Sequence, residues 1–275
     1  MSKSPLLAAM MALALVGCAT DGSQGGDVSS VAGALSSVSG AGTGATKGES
    51  RISAAGDLLN AATVSDSELK SVSAQQMAYS DKQAQVAPAK NKYAKRLARL
   101  TAKHMNEDGM KLNFKVYLTK DVNAFAAPDG SIRVYAGLMD LMNDDELLSV
   151  IGHEIGHVKH GHSLNALRTA YVTSAGRKAA AGAGGVVGAL ADSQLGALTE
   201  ALVNNQFSQS QETQADDYGF EFMKKYKYKA AAMESAFRKL AQMSGKSSTF
   251  DKMMSSHPDA EGRAKRVKEK LSKGG

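Results

Sequence analysis

Four of the chain's six histidines and one glutamate fall within twelve consecutive residues, IGHEIGHVKHGH at 151–162. Residues four apart on an α-helix lie on the same face, so His153 and His157 can offer two imidazoles to one ion. Glu154 directly follows the first of them. This is the H-E-x-x-H pattern, in which the histidines bind zinc and the glutamate acts as a general base. The stretch therefore predicts a metal site on a helix, with hydrolytic chemistry.

The two later histidines of this stretch fit the same ion less well. His160 is seven positions from His153, or about 10 Å along a helix axis, too far for both to bind one ion at about 2.1 Å. His162 is expected to point away from the site. The longer pattern H-E-x-x-H-x-x-G-x-x-H is not met, because the chain has His160 and Ser163 at its last two fixed positions. We interpret both histidines as helix-end residues, favoured by the negative end of the helix dipole.

A third ligand must come from elsewhere, since catalytic zinc usually takes three protein ligands and a water. Glu212, in FSQSQETQADDYG, is the candidate. Asp216 lies one helical turn later, where a carboxylate can accept a hydrogen bond from a ligating imidazole and fix its tautomer. Glu200 is the competing acid, but it has no such partner four residues on.

The hydrophobic pattern predicts an α+β fold that is mainly helical, with a small sheet. LNFKVYL at 112–118 alternates like a strand, and 123–137 has the pattern of a hairpin around Pro128-Asp129-Gly130. Asn143 and Glu146 form a capping-box signature before the helix that carries the histidines. The segment 179–196 is rich in Ala, Gly and Val and fits a loose helical pair, a mobile loop or an interaction patch. The predicted helices are about Asp66–Tyr79 with Asp66 as its cap, Lys90–Met105, Asp144–His160, Asn205–Tyr226, Lys229–Met243 and one at the end of the basic tail 257–273.

The N-terminus has the pattern of a lipoprotein signal. The apolar run 5–16, PLLAAMMALALV, is too short to span a bilayer as a mature helix but fits a signal-peptide core. The following LVGC resembles a bacterial lipobox, in which Cys18 is lipidated; a plain secretory signal is the alternative. Ala19, rather than an aspartate, follows the cysteine. By resemblance to lipoprotein sorting in Gram-negative bacteria, this favours the outer membrane. We predict a signal peptide at 1–17, a flexible Gly/Ser-rich tether at 18–55 and a catalytic domain at 56–275.

Composition excludes few functions. Hydrophobic residues make up 43% and charged residues 22%, which is usual for a globular protein. Cys18 is the only cysteine, so a lipidated chain can form no disulfide. The formal net charge is +6, which weakly favours an anionic surface as partner. The basic face of the predicted helix 90–105 has no interleaved aromatic residues, so we expect no nucleic-acid partner.

Three segments that occur in order carry a family resemblance. They are NAFAAPDGSIRVYAGLMDLMNDDELLSVIGHEIGHVKHGH, then FSQSQETQADDYG, then SSHPDAEGRAKRV. Together they resemble the HtpX/BepA/LoiP-like zinc metallopeptidases, soluble relatives of the CAAX prenyl protease and small members of the gluzincin group. The resemblance covers roughly 66–270. The chain departs from it at Gln209, where the family often has arginine, and at Gln214, where it often has a second glutamate; neither change removes a ligand.

The resemblance implies a role for each matching residue. His153, His157 and Glu212 would bind one Zn²⁺, and Glu154 would be the base. His257 would approach the zinc, either stabilising the oxyanion or occupying the open position in a latent state; an exposed loop histidine is the alternative. Asp216 would support a ligand, and Arg263 would brace the His257 loop. An edge strand would pair with extended substrate, unless it is an ordinary sheet edge. Its residues are Asn123, Ala124, Phe125 and Ala126.

The sequence thus predicts a zinc endopeptidase that is lipid-anchored to the outer membrane and faces the periplasm. Its expected substrates are misfolded or unassembled envelope proteins, by resemblance and location. One alternative is a zinc-stabilised chaperone or assembly factor with latent or secondary proteolysis. Another is an anchored module that binds cell wall or lipid through its basic tail. The sequence leaves the oligomeric state open.

Overall fold

A computed structural model describes residues 63–180, 190–243 and 253–274, with side chains described outside 175–180. The predicted signal peptide and tether lie outside these ranges. The described strands are β1 Asn106–Glu107, β2 Met110–Lys111, β3 Asn113–Tyr117, β4 Ala124–Ala126 and β5 Ser131–Tyr135. The described helices are α1 Asp66–Gln83, α2 Lys92–Thr101, α3 Ala136–Leu141, α4 Asp144–Lys159, α5 His162–Ala180, α6 Asp192–Val203, α7 Gln209–Lys225, α8 Ala231–Met243 and α9 Ala260–Ser272.

The mainly helical α+β prediction is confirmed, with one three-stranded sheet in the order β3-β5-β4. The predicted hairpin is confirmed, since β4 pairs antiparallel with β5, with Phe125 opposite Arg133. The parallel pairing of β3 with β5 was not predicted. Gly130 in the hairpin turn has φ 89°, and a Cβ there would lie 2.1 Å from the carbonyl oxygen of Lys111. The turn therefore requires glycine.

Alternate residues of the sheet face two different layers, as the period of two in a strand requires. Ile132 and Val134 of β5 belong to the main core together with Ile151 and Ile155 of α4. Phe125 and Tyr135 face the opposite side, in a cluster with Met77 of α1 and Leu202 of α6. The sheet thus lies between the helix that carries the histidines and a second helical layer.

Helix α4 begins where the capping box predicts. Asn143 Oδ1 accepts a hydrogen bond from the Glu146 backbone N–H at 2.9 Å, and Glu146 Oε2 accepts one from the Asn143 backbone N–H at 2.8 Å. The acidic residues 144–146 lie at the positive end of the helix dipole. The capping box and the acidic first turn therefore both favour a helix that begins after Asn143. That start determines where His153 and His157 fall along the helix.

Several predicted boundaries were wrong by a few residues. Ser65, not Asp66, caps α1, because its hydroxyl accepts from the Glu68 backbone N–H. The helix predicted from Asn205 begins at Gln209, because Ser208 caps it and Gln211 completes a capping box. Of the undecided segment 179–196, the two ends belong to α5 and α6, and 181–189 lies outside the described residues. Across the described ranges, we find no helix both long and apolar enough to cross a membrane.

Glycines bring α4 and α7 into near-backbone contact. A Cβ on Gly156 would lie 2.9 Å from the Ala215 carbonyl oxygen, and one on Gly152 would lie 2.8 Å from the Phe222 ring. Across the interface, a Cβ on Gly219 would lie 3.0 Å from the His153 backbone nitrogen. Only hydrogen at these positions allows the two helices to approach so closely.

Replacing Gly156 with Ala should therefore separate α4 from α7. The new methyl group meets backbone atoms that cannot rotate away, and overpacking of this kind costs about 1–3 kcal/mol. We expect a lower free energy of unfolding in urea and a lower metal content after purification. Gly196→Ala is the matched control, because its Cβ would lie 3.4 Å from Tyr79 Oη, within ordinary contact distance. Equal stability and metal content in Gly156→Ala and wild type would contradict this account.

Candidate metal centre

Three elements bring a set of potential metal ligands together. Helix α4 carries His153 and His157, α7 carries Glu212, and the segment just before α9 carries His257. Among the described residues, these four are the group of His, Asp and Glu side chains that could hold an ion, with one donor atom from each lying within 4.8 Å of the others. All four are at most 4% exposed.

The spacing of the donor atoms fits a tetrahedral ion. Ligand atoms at about 2.1 Å from a tetrahedral zinc lie about 3.4 Å from one another. His153 Nε2 and His157 Nε2 are 3.0 Å apart, Glu212 Oε1 lies 3.3 Å from His157 Nε2, and Glu212 Oε2 lies 3.7 Å from His153 Nε2. His257 Nδ1 lies 3.3 Å from His153 Nε2 and 3.0 Å from Glu212 Oε1. His257 is thus placed at the fourth corner of the set rather than on an exposed loop.

A buried ionic network holds His153 in place. Its Nδ1 lies 2.9 Å from Asp216 Oδ1, as the spacing of Glu212 and Asp216 predicts. Arg263 Nε donates to Asp216 Oδ2 at 2.9 Å, and Arg266 donates to the same oxygen at 2.8 Å. Arg263 Nη1 also lies 2.6 Å from Glu212 Oε2. The two groups form an ion pair, but their geometry is not that of a hydrogen bond. Arg263 therefore supports both carboxylates, in addition to its place beside the His257 segment.

The electrostatics keep the carboxylates ionised and one imidazole neutral. Burial alone would raise the pKa of Glu212, but its electrostatic interactions with His257, His153 and Arg263 hold it well below its usual range. Burial likewise opposes ionisation of Asp216, and Arg263 and His153 outweigh it, so its pKa is also lowered. Burial dominates at His157 and lowers the pKa of its imidazole. Ionised carboxylate and neutral imidazole are the forms that bind a metal.

Glu154 lies beside the donor set but is not part of it. It is 1% exposed, and its Oε1 has no hydrogen-bond partner in the described part of the chain. That oxygen lies 3.7 Å from His257 Nε2. A buried, unpartnered carboxylate oxygen is costly unless something else uses it. A water taken up beside the metal would supply the missing partner.

The prediction that His162 points away was wrong. Gly161, with φ 70°, follows the end of α4, and α5 begins at once, so the chain turns back toward the site. His162 is 4% exposed, and its Nδ1 lies 3.1 Å from His157 Nδ1. Its Nε2 lies 2.9 Å from Gln214 Oε1. His160 ends α4 as predicted and is exposed.

Sequence analysis also missed Phe207, whose ring stacks on His157 at a centroid distance of 3.9 Å. Its backbone N–H donates to the Ser256 carbonyl at 3.3 Å, which ties it to the residue before His257. Phe207 lies immediately before the Ser208 cap, so its place follows from where α7 begins. The competing acid Glu200 is exposed on α6 and lies outside the ligand group.

The predicted substrate strand lies at a sheet edge, with β4 covering Ala124–Ala126 and Asn123 just before it. All four residues are buried. Asn123 Oδ1 accepts from the Ala124 backbone N–H at 3.0 Å, while Asn123 Nδ2 has no partner among the described residues. Strand β4 also lies against α4, the helix that carries the histidines. The edge is thus close to the metal-binding helix.

Two imidazoles from one helix, a carboxylate from another and a neighbouring glutamate with one oxygen free of hydrogen bonds from the described residues define a metallopeptidase centre. Residues 88–271 match peptidase family M48. This chain belongs to that family and is a metallopeptidase. The match covers all of the ligand candidates described above.

Named relatives agree with this assignment. Metalloprotease LoiP of Escherichia coli (strain K12) is 44% identical, over 82% of this chain and 88% of the relative. Metalloprotease YcaL of the same organism is 39% identical, over 81% of this chain and 87% of the relative. The beta-barrel assembly-enhancing protease of Yersinia pestis is 30% identical, over 59% of this chain and 37% of that longer protein.

Proposed function

We propose that this metallopeptidase is a zinc endopeptidase, anchored to the outer membrane and facing the periplasm, that cleaves misfolded or unassembled envelope proteins. The observation that carries the proposal is the convergence of His153, His157 and Glu212 beside Glu154, whose Oε1 has no hydrogen-bond partner among the described residues. Two histidines and one carboxylate are a ligand set typical of catalytic zinc.

The reaction assigns a separate task to each group. When bound, zinc would polarise the scissile carbonyl and lower the pKa of the attacking water. Glu154 accepts a proton from that water as the new C–O bond forms, and then delivers it to the leaving nitrogen as the C–N bond breaks. Ionised Asp216 holds His153 in the tautomer whose Nε2 faces the ligand set.

Strand β4 is the proposed substrate contact. An extended peptide added to a sheet edge is held by main-chain hydrogen bonds, with little demand on its sequence. The unpartnered Asn123 Nδ2 next to β4 offers one further donor for a substrate carbonyl. Recognition of this kind suits unfolded chains, whose backbone hydrogen-bonding groups are free.

The location rests on the N-terminal pattern. The apolar run and Cys18 fit a lipoprotein signal, and more than one acyl chain on a single cysteine would anchor the protein stably. Relatives named for β-barrel assembly support envelope proteins as the substrate class. The long Gly/Ser-rich stretch after Cys18 would give the catalytic domain reach above the membrane.

The burial of the site favours a latent resting state. His257 lies at the fourth corner of the donor set, where a water or substrate oxygen would otherwise bind, and β4 is buried. We therefore assign His257 to the closed form rather than to the oxyanion. The same observation favours the alternative function, a zinc-stabilised chaperone or assembly factor with secondary proteolysis.

Removing the base or a ligand should separate catalysis from metal binding. Glu154→Gln should retain zinc but lose nearly all cleavage of casein, because a neutral amide cannot accept the water's proton. Glu212→Ala should lose most of its zinc, because it removes the only carboxylate of the donor set. The measurements are metal content by atomic emission and casein cleavage at fixed zinc concentration.

Glu200→Ala is the matched control and should behave as wild type, because Glu200 is an exposed glutamate outside the donor set. Full zinc content in Glu212→Ala would refute the assigned ligands. Full rescue of a deletion strain by Glu154→Gln would instead favour the chaperone function.

Replacing His257 with Ala distinguishes its two assigned roles. As a fourth ligand it competes with substrate, so its removal should raise cleavage of a short unstructured peptide and weaken zinc binding. As an oxyanion donor its removal should lower kcat by about 10²–10³. Peptide cleavage with zinc in excess measures the difference, and a fall of that size would overturn the latent-state assignment.

Cys18→Ala tests the anchor. Without the thiol no acyl chain can be attached, so the protein should move from the outer-membrane fraction to the soluble fraction. The measurement is fractionation of cells that express the full-length chain, with Ser23→Ala as control. Retention of Cys18→Ala in the outer membrane would contradict lipid anchoring.

A further inference from the structure

The imidazole of His157 is supported differently from that of His153. His153 Nδ1 lies against the carboxylate of Asp216, whereas His157 Nδ1 lies against a second imidazole, His162 Nδ1, at 3.1 Å. We propose that His162 and Gln214 are positioning residues that fix the tautomer of His157 and hold its Nε2 toward the metal. This inference rests on the proposed metal site.

The hydrogen-bond directions allow only one arrangement of protons. If His157 Nε2 is to bind an ion, its proton must lie on Nδ1, and His157 then donates to His162 Nδ1. His162 consequently carries its own proton on Nε2, which lies 2.9 Å from Gln214 Oε1. The Gln214 carbonyl oxygen can only accept a hydrogen bond. It therefore accepts the proton that His162 must carry on Nε2 when His157 binds a metal through its own Nε2.

The hydrogen bonds from His157 through His162 to Gln214, here called the relay, join three separate elements. His157 is in α4, His162 begins α5 after the turn at Gly161, and Gln214 is on α7, two residues after the ligand Glu212. His162 is buried, whereas Gln214 is exposed. The orientation of a wholly buried ligand is thus set by a side chain at the surface.

Three variants test the inner part of the relay. His162→Phe keeps a ring of similar size but removes the acceptor, and it should weaken zinc binding by about 10–100-fold. His162→Asn should recover most of that loss, because its Oδ1 is attached to Cγ, as is the Nδ1 of histidine, and can accept the same proton. Lys159→Ala is the control, because Lys159 is exposed at the end of α4 and its removal should leave the affinity unchanged.

The measurement is competition for zinc between the full-length protein and a chromophoric chelator, accompanied by thermal unfolding of the metal-free form. A merely structural role would lower the unfolding temperature of the metal-free form and give no rescue with Asn. Zinc affinity in His162→Phe within about threefold of wild type would overturn the inference. So would an equal loss of affinity in the Asn variant.

Gln214 gives a second test that does not depend on a buried substitution. Gln214→Glu should tighten zinc binding several-fold, because a carboxylate accepts more strongly from His162 and makes His157 a stronger ligand. Gln214→Leu removes the acceptor and should weaken binding. The opposite order of these two affinities, or no difference between them, would reject the relay. If wild type itself binds no zinc, the proposed function fails instead, so the two failures are distinguishable.

Discussion

The close approach of α4 to α7 is the contact on which the metal centre depends. The histidines are on one helix and Glu212 on the other, so no ligand set exists unless the two axes come close enough for short side chains to meet. Glycines at 152, 156 and 219 remove the side chains that would hold the backbones apart. The same contact places Asp216 against His153. One packing arrangement therefore produces both the ligands and their support.

The cost of that arrangement is electrostatic. Glu212, Asp216 and Arg263 are all nearly inaccessible to solvent, and burying an unpaired charge is costly. Contacts between opposite charges offset this cost. Arg263 contacts both carboxylates, and Arg266 contacts Asp216 from a more exposed position. Desolvation offsets much of the attraction in such a network, so its ion pairs are weak evidence for stability.

The local part of this centre is readable from the sequence. Spacing of four identifies His153 with His157 and Glu212 with Asp216, because one helical turn relates each pair. The capping box of Asn143 and Glu146 predicts the helix start, because it too depends on residues close together in the sequence. His162 is different. If one helix continued through this segment, its periodicity would direct the His162 side chain outward. The turn at Gly161 instead starts a new helix that directs the side chain inward. A single residue of positive φ was enough to reverse the prediction.

Long-range features were beyond the sequence for another reason. The approach of His257 to the site was expected only from the family resemblance, because it depends on how the segment before α9 packs against Phe207. The burial of β4 depends on Leu202 from a helix more than seventy residues later. No periodicity relates these residues. The domain boundaries and the lipid anchor concern residues outside the described ranges, and they remain predictions.

The inaccessibility of the donor atoms has a consequence for a protein that degrades other proteins. In the closed form proposed above, the site would not act on correctly assembled proteins around it. Under that proposal, selectivity would depend on the free energy needed to open the enzyme, which an unfolded chain bound along β4 would offset. Substrates would then be selected by their ability to open the enzyme, before any peptide bond is attacked.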